Sequence, residues 1–207
     1  MNNRNLIVAL AVVALLAVAA TTAGCATNTT PSPTPIPATT TSTGNNTTYS
    51  SAAGFNITYL KNLKTDSSTN ASTPVRLYVY LTPNETADGV LVATKGLSSG
   101  QTLSDFSNND MKELQNYSST GFYKSFTILN ETNSTLSGKP AHTIVWSGII
   151  PVQYNKTTPT NTSVKEMQTY VVNNNMGYVI TYKTIPSDYD TYLAQAQQIM
   201  NSFKFTS

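Results

Sequence analysis

His142 is the only histidine and Cys25 the only cysteine of the 207 residues, so imidazole or thiolate chemistry has one group of each kind to work with. A zinc centre needs several such ligands together, and the sequence does not supply them. The acid pairs Glu85 with Asp88 and Asp188 with Asp190 offer oxygen ligands, but neither has the glycine and ligand spacing of a calcium loop. They read as turn residues and helix-start charges. No Gly-x-Ser-x-Gly elbow is present, Ser98-Ser99-Gly100 reads as a loop, and no glycine-rich phosphate cradle links a strand to a helix. Twelve Lys and Arg stand against ten Asp and Glu, scattered to a net charge of +2, which argues against a nucleic-acid partner. The expectation is a non-catalytic protein with no cofactor and no metal. The alternative is a hydrolase-type enzyme built on carboxylates around Asp66, Glu85 and Asp88, which requires those groups to converge within about 5 Å in a cleft.

Cys25 has a more specific context. Arg4 precedes an apolar run of 15 residues, Leu6 to Ala20, and Thr21-Thr22-Ala23-Gly24 then leads to the cysteine. A short positive end, an apolar segment of this length and small residues before a cut form an export signal over residues 1–24, and the run is short for a membrane span. Ala23-Gly24-Cys25 resembles a lipobox, with Thr22 where leucine is usual. The resemblance implies lipid on Cys25 and an extracytoplasmic, membrane-anchored chain; the alternative is an uncleaved signal anchor ending at Cys25, which places the chain on the same side.

From Ala26 to Ser50 there is no charged residue, threonine dominates, and Pro31, Pro33, Pro35 and Pro37 recur at every second position. Alternating proline favours extended backbone, and so little apolar area does not repay ordering, so residues 25–50 read as a lipid-anchored spacer. Asn-x-Ser/Thr triplets are dense: Asn28, Asn45, Asn46, Asn56, Asn70, Asn84, Asn116, Asn130, Asn133, Asn155 and Asn161 are candidate N-glycosylation sites. Charged residues make up 11% of the chain against about 25% in an ordinary soluble domain. Solubility then rests on uncharged polar groups or attached sugar, a combination that archaeal outer surfaces permit.

Residues 51–207 are long enough for one domain with its own core. Alternation predicts strands over Phe55 to Leu60, Val75 to Leu81, Val90 to Thr94, Phe122 to Leu129, Ala141 to Trp146, Val164 to Val172 and Tyr178 to Lys183, with turn chemistry at Ser137-Gly138 and Asn173 to Gly177. Thr102 with Asp105 has capping-box spacing ahead of a helix with the stripe Leu103, Phe106, Met111, Leu114 and Tyr117, stopped by Gly121. Ser187 with Asp190 repeats that spacing before Tyr189, Leu193, Ala196, Met200 and Phe203. Trp146 reads as core and His142 as a polar strand residue near a hairpin. Tyr117, Tyr123, Tyr154, Tyr170, Tyr178, Tyr182, Tyr189 and Tyr192 read mainly as half-buried sheet and helix residues, with a groove for glycan, peptide or another envelope protein as the functional alternative.

Three stretches carry a resemblance: Gly54-Phe55-Asn56-Ile57-Thr58-Tyr59, Leu136-Ser137-Gly138-Lys139-Pro140-Ala141-His142, and Met200-Asn201-Ser202-Phe203-Lys204-Phe205. With Thr102-Leu103-Ser104-Asp105-Phe106 between the first two, their order over roughly Gly54 to Thr206 resembles the PsbP-like family. The resemblance implies an α/β fold, a three-layer α/β/α sandwich around an antiparallel sheet, and brings no catalytic motif. Relatives often follow the first strand with proline and then tryptophan, where this chain has Leu60-Lys61-Asn62-Leu63. Gly148 to Val164, with Pro151, Tyr154 and Pro159, reads as an insertion. The combined reading is an envelope-anchored binding or accessory protein.

Overall fold

A computed structural model of the protein describes residues 39–68, 74–82, 88–119, 125–152 and 160–206. Cys25, the segment before Thr39, Glu85, and the acceptor candidates Asn28, Asn70, Asn84 and Asn155 lie outside the described residues, as do Gly121, Tyr123, Tyr154 and the side chain of Tyr117. In chain order the elements are β1 (Thr39–Thr43), β2 (Asn46–Ser51), β3 (Phe55–Leu60), β4 (Thr65–Ser67), β5 (Val75–Tyr80), β6 (Gly89–Gly96), α1 (Leu103–Ser119), β7 (Ser125–Leu136), β8 (Lys139–Val152), β9 (Thr160–Asn173), β10 (Met176–Thr184), a 3-10 turn at Pro186–Asp188, α2 (Tyr189–Asn201) and β11 (Lys204–Phe205).

The strands form a seven-stranded sheet in the order β4-β5-β6-β10-β9-β8-β7 and a four-stranded sheet in the order β1-β2-β3-β11, antiparallel throughout. The turns β7–β8 and β9–β10 each hold two residues in the left-handed region, Ser137-Gly138 (φ 51° and 76°) and Asn174-Asn175 (φ 51° and 57°). Two-residue turns of that hand match the twist of the strands they join, which sets the register of both hairpins.

Alternation on β10 separates the two faces of the large sheet. Tyr178, Ile180 and Tyr182 point to one side, where α2 and the small sheet bury them with Phe55, Ile57, Ala196, Met200 and Phe203. Val179 points to the other side, where α1 lays Phe106, Met111 and Leu114 over Ile144, Trp146, Val164 and Tyr170. The architecture is therefore α1, then the seven-stranded sheet, then a layer shared by α2 and the four-stranded sheet. It is the α/β/α sandwich expected, with a second sheet added to one outer layer.

Three expectations need correction. The spacer does not reach Ser50: β1 and β2 form a hairpin that joins β3, with Thr47 and Tyr49 buried, and the folded unit takes in Thr39 onward. Threonine and tyrosine suit a half-buried strand, and the Tyr49 ring lies 6.0 Å from that of Phe55 while its hydroxyl donates to the Arg76 carbonyl at 3.1 Å. Much of the insertion at Gly148 to Val164 lengthens the β8–β9 hairpin, with Ile149 opposite Ser163 and Val152 opposite Thr160. At α2 the Ser187–Asp190 capping box does not form. Proline at the first position opens a 3-10 turn instead, Asp188 takes the cap position without a side-chain cap bond, and Ser187 donates to Asp188 Oδ1 at 2.9 Å. At α1 the predicted box is present in full: Asp105 N–H donates to Thr102 Oγ1 at 3.1 Å, and Thr102 donates through its N–H (3.0 Å) and its hydroxyl (2.7 Å) to Asp105 Oδ2. The backbone bond from Thr102 lowers the pKa of the Asp105 carboxyl.

Candidate functional site

The face of α1 turned to the sheet is not wholly apolar. Leu103, Phe106, Ser107, Asp110, Met111 and Leu114 recur at intervals of three and four, so the polar Ser107 and Asp110 are carried inward with the hydrophobic stripe and end 1% and 4% exposed. Gly177 lets the helix approach closely, since a Cβ there would stand 2.6 Å from the Phe106 ring. Across from Asp110, strand β9 presents Glu166, Gln168 and Tyr170 on the same side, and β10 presents Lys183 opposite Glu166. All are buried.

These groups form one connected chain. Tyr170 Oη lies 2.7 Å from Asp110 Oδ2 and also within hydrogen-bond distance of Gln168 Oε1. Gln168 Nε2 donates to Glu166 Oε2 at 3.0 Å, and Glu166 Oε1 pairs with Lys183 Nζ at 3.7 Å. Burial pushes the Asp110 carboxyl up to about 6, partly countered by its bond to Tyr170 and by Lys95. Burial also raises Glu166, against the opposing pull of Lys183 and Gln168, and holds the Tyr170 phenol well above its ordinary value, reinforced by Asp110. Among the described residues Asp110 Oδ1 has no hydrogen-bond partner.

Beside this chain, His142 lies opposite Tyr170 on β8. Its Nδ1 is 3.1 Å from Ser107 Oγ and its Nε2 is 3.6 Å from Glu131 Oε2. A serine, a histidine and a carboxylate in sequence invite a nucleophile reading. Ser107 is buried on a helix and its hydroxyl is 3.3 Å from the Ser104 carbonyl it donates to, so the arrangement ties α1 to β8 and β7. His142 is thus half-buried between helix and edge strand rather than merely a surface residue at a hairpin.

The carboxylates on which an enzyme reading rested are dispersed where they are described. Asp66 on β4 accepts from Tyr80 Oη at 2.6 Å and faces the α1 side, opposite Tyr78. Asp88 is buried at the start of β6 and accepts from Thr184 Oγ1 at 2.6 Å, one residue out of phase with Lys183 and so on the other face. Asp188 and Asp190 open the second helix. Among the described residues no three His, Cys, Asp or Glu side chains gather as a metal site would require. Tyr170, Tyr178, Tyr182 and Tyr189 are buried and line no open groove, and Trp146 is core, its ring 5.1 Å from that of Phe126.

Of the glycosylation candidates, Asn45 and Asn46 lie exposed at the β1–β2 turn, Asn116 on α1, Asn130 and Asn133 on β7, and Asn161 on β9. Asn56 differs. It sits in β3 between Ser50 and Lys204, half-buried, with Oδ1 enclosed.

No protein-family model matches the chain, and no curated protein matches it in sequence. Among solved structures, cyanobacterial PsbP (CyanoP) from Synechocystis sp. PCC 6803 superposes with a TM-score of 0.54 at 15% identity, covering 73% of this chain and 86% of its own. The fold is PsbP-like. Lower scores are reached by the protein of unknown function PA94 from Pseudomonas aeruginosa, a putative regulator by its description (TM-score 0.44, 12% identity, 77% of this chain and 96% of its own). LpqN of Mycobacterium tuberculosis, described as involved in cell envelope biogenesis, scores 0.45 at 12% identity over 74% of this chain and 83% of its own. At 15% identity the likeness to CyanoP conveys a shared fold alone, and the chemistry has to be read from the side chains described above.

Asp110 and Glu166 were absent from the sequence-derived candidates, although both had a signal. Asp110 stands seven residues after Leu103 and four before Leu114, on the buried stripe. Glu166 and Gln168 alternate with Met167 and Thr169 in a strand covered on both faces, where the polar set is buried as surely as the apolar one.

Proposed function

We propose that the chain is an extracytoplasmic lipoprotein, held at the membrane through Cys25, whose PsbP-like domain acts without catalysis as a binding or accessory module for another envelope protein or a glycan. The observation that carries the non-catalytic part is the commitment of the chemically able side chains to one another: Asp110, Tyr170, Gln168, Glu166 and Lys183 bond in series inside the domain, and His142 bridges Ser107 and Glu131. The leader, the small residues before Cys25 and a surface with few charges support the location. Sugar on Asn130 and Asn133 would cover β7, the long outermost strand of the large sheet among the described residues, and keep it from pairing with another chain.

Two measurements test this. Mass spectrometry of the mature protein from its host membrane should find an N-terminus at Cys25 carrying lipid, and Cys25→Ser should release the protein from the membrane fraction. An intact segment of residues 1–24, or an unmodified cysteine, rejects the anchor. For the second part, cross-linking in intact envelopes should join the domain to a recurrent protein or glycan partner; turnover of envelope substrates by the purified chain would replace the binding reading with the enzyme.

A further inference from the structure

The buried chain from Asp110 to Glu166 contains three hydrogen-bonded links: Asp110 to Tyr170, Tyr170 to Gln168, and Gln168 to Glu166. Each needs one proton. The phenol of Tyr170 brings one, and the amide of Gln168, which turns one end to Tyr170 and the other to Glu166, brings one more. Rotating that amide by half a turn exchanges its ends but not the count. If Nε2 faces Glu166, the missing proton lies between Asp110 and Tyr170; if Nε2 faces Tyr170, it lies between Glu166 and the amide oxygen. A third proton must come from a carboxyl group at one end.

The charges around the two ends choose between them. Glu166 has Lys183 Nζ at 3.7 Å, which favours its anion. Asp110 has no cation in contact among the described residues: Lys95 on β6, the nearest to matter, is paired with Glu113 of α1 at 3.3 Å. His142 on β8 faces Ser107 and Glu131, not Asp110. The unpartnered Oδ1 of Asp110 agrees, because a buried carbonyl oxygen of a neutral acid costs far less than a buried anionic oxygen.

We propose that Asp110 is a neutral acid in the folded domain, donating its proton to Tyr170, which donates to Gln168, and that this single proton fastens α1 to the sheet so that the domain is tightened by acid and loosened toward neutral pH. The proton leaves Asp110 Oδ2 as pH rises; the carboxylate then faces the phenol oxygen without a second proton, and the link between helix and sheet is left one donor short. The inference concerns the domain itself and does not depend on where the chain resides.

The direction follows from linkage. With a folded pKa of about 6 against an unfolded value of 3.8, the native state holds a proton that the unfolded chain has released between those two pH values. Stability therefore falls as pH rises through that window and stays lower above it, by roughly 100-fold in the unfolding constant. Asp105, the helix-cap acid, acts the opposite way but below the window, since its pKa is lowered.

Denaturant unfolding of the full chain in mild detergent from pH 4 to pH 8 tests the idea. Wild type should lose up to about 100-fold in its folding constant, most of it by pH 7. Asp110→Asn supplies a permanent N–H donor to Tyr170, so its profile should be flat through the window and its stability at pH 7 equal to or above wild type. His142→Gln should keep the wild-type slope, and Glu166→Gln should reduce it without abolishing it, because burial raises that carboxyl too and its charge adds to the shift at Asp110. An infrared band of a protonated carboxyl at pH 5, lost in Asp110→Asn, reads the same proton without unfolding. A flat wild-type profile, an Asp110→Asn protein with the wild-type slope, or a slope abolished by Glu166→Gln or His142→Gln would each overturn the proposal.

Discussion

On the face of the seven-stranded sheet that α2 covers, Phe55, Tyr178, Phe203 and Phe205 meet ring on ring at centroid separations of 5.1 to 6.1 Å; on the face that α1 covers, Glu166, Gln168, Lys183 and Asp110 are buried beside Trp146 and Tyr170. The same strands build both. On β10, Tyr178, Ile180 and Tyr182 serve the first face and Val179, Thr181 and Lys183 the second. The aromatic cluster of the first face holds by area and shape, which pH does not alter. The second needs every donor matched to an acceptor, so it is sensitive to single protons and charges.

The largest effect expected is on the aromatic face. Phe203 is fully buried and stacked on Phe55 at 5.3 Å, so Phe203→Ala should lower unfolding free energy by about 3–5 kcal/mol. Denaturant titrations should give the same loss at pH 5 and pH 8; a loss that changes with pH would erase the distinction between the faces.

Lys183→Met attacks the other face. It removes the cation beside Glu166, which then escapes an unpaired buried charge by taking up a proton. Holding that proton at pH 7 against an unfolded value of 4.5 costs about 3 kcal/mol, shrinking by about 1.4 kcal/mol for each pH unit toward 5. Stability profiles should show that dependence, and Lys183→Met with Glu166→Leu should recover most of the loss, as buried pairs replaced by apolar residues commonly do. An equal loss in the double variant would mean that the pair's bonds, rather than its charge balance, hold the face.

The approach of α1 itself sets the third effect. A methyl at residue 177 meets the Phe106 ring at 2.6 Å, so Gly177→Ala should cost about 1–3 kcal/mol, and adding Phe106→Leu should return part of it. If Gly177→Ala is harmless, the helix has room to shift, and its polar contacts do not fix its position.

Much of this division was legible beforehand. Turn chemistry placed the left-handed turns at Ser137-Gly138 and at asparagines 174 and 175, while alternation left β7 seven residues short at Leu129 and β8 six short at Trp146. What escaped was burial on both sides. Glu166 and Gln168 look like the solvent half of an alternating strand, and only the stacking of α1 on one face and α2 on the other turns that half inward. The threonine hairpin before Phe55 escaped for a related reason: Thr47 and Tyr49 offer little apolar area alone and become core only when β3 and Arg76 lie beside them. The buried chain needed tertiary contact, because Asp110 and Glu166 are far apart in sequence and are linked through Tyr170 and Gln168.

The two helices differ at their starts as well as in what they bury. Thr102 and Asp105 exchange hydrogen bonds at the head of α1, whereas Ser187 bonds to its neighbour Asp188 at the head of α2 and forms no box with Asp190. Sequence spacing alone gives them the same role. Thr102→Ala should therefore cost about 1 kcal/mol, and Ser187→Ala less than about 0.5 kcal/mol, in side-by-side thermal melts. The Thr102→Ala loss should also shrink at pH values low enough to protonate Asp105, whose lowered pKa comes from that bond. Because the cap lies at the helix end and Asp110 on its buried side, the two acids of α1 oppose each other: ionisation stabilises the helix at Asp105 and weakens its docking at Asp110. Comparing Thr102→Ala with Asp110→Asn across pH 3 to 7 should give slopes changed in opposite senses, and a shared sense would show that α1 responds to its own net charge rather than to the separate surroundings of its two carboxyls.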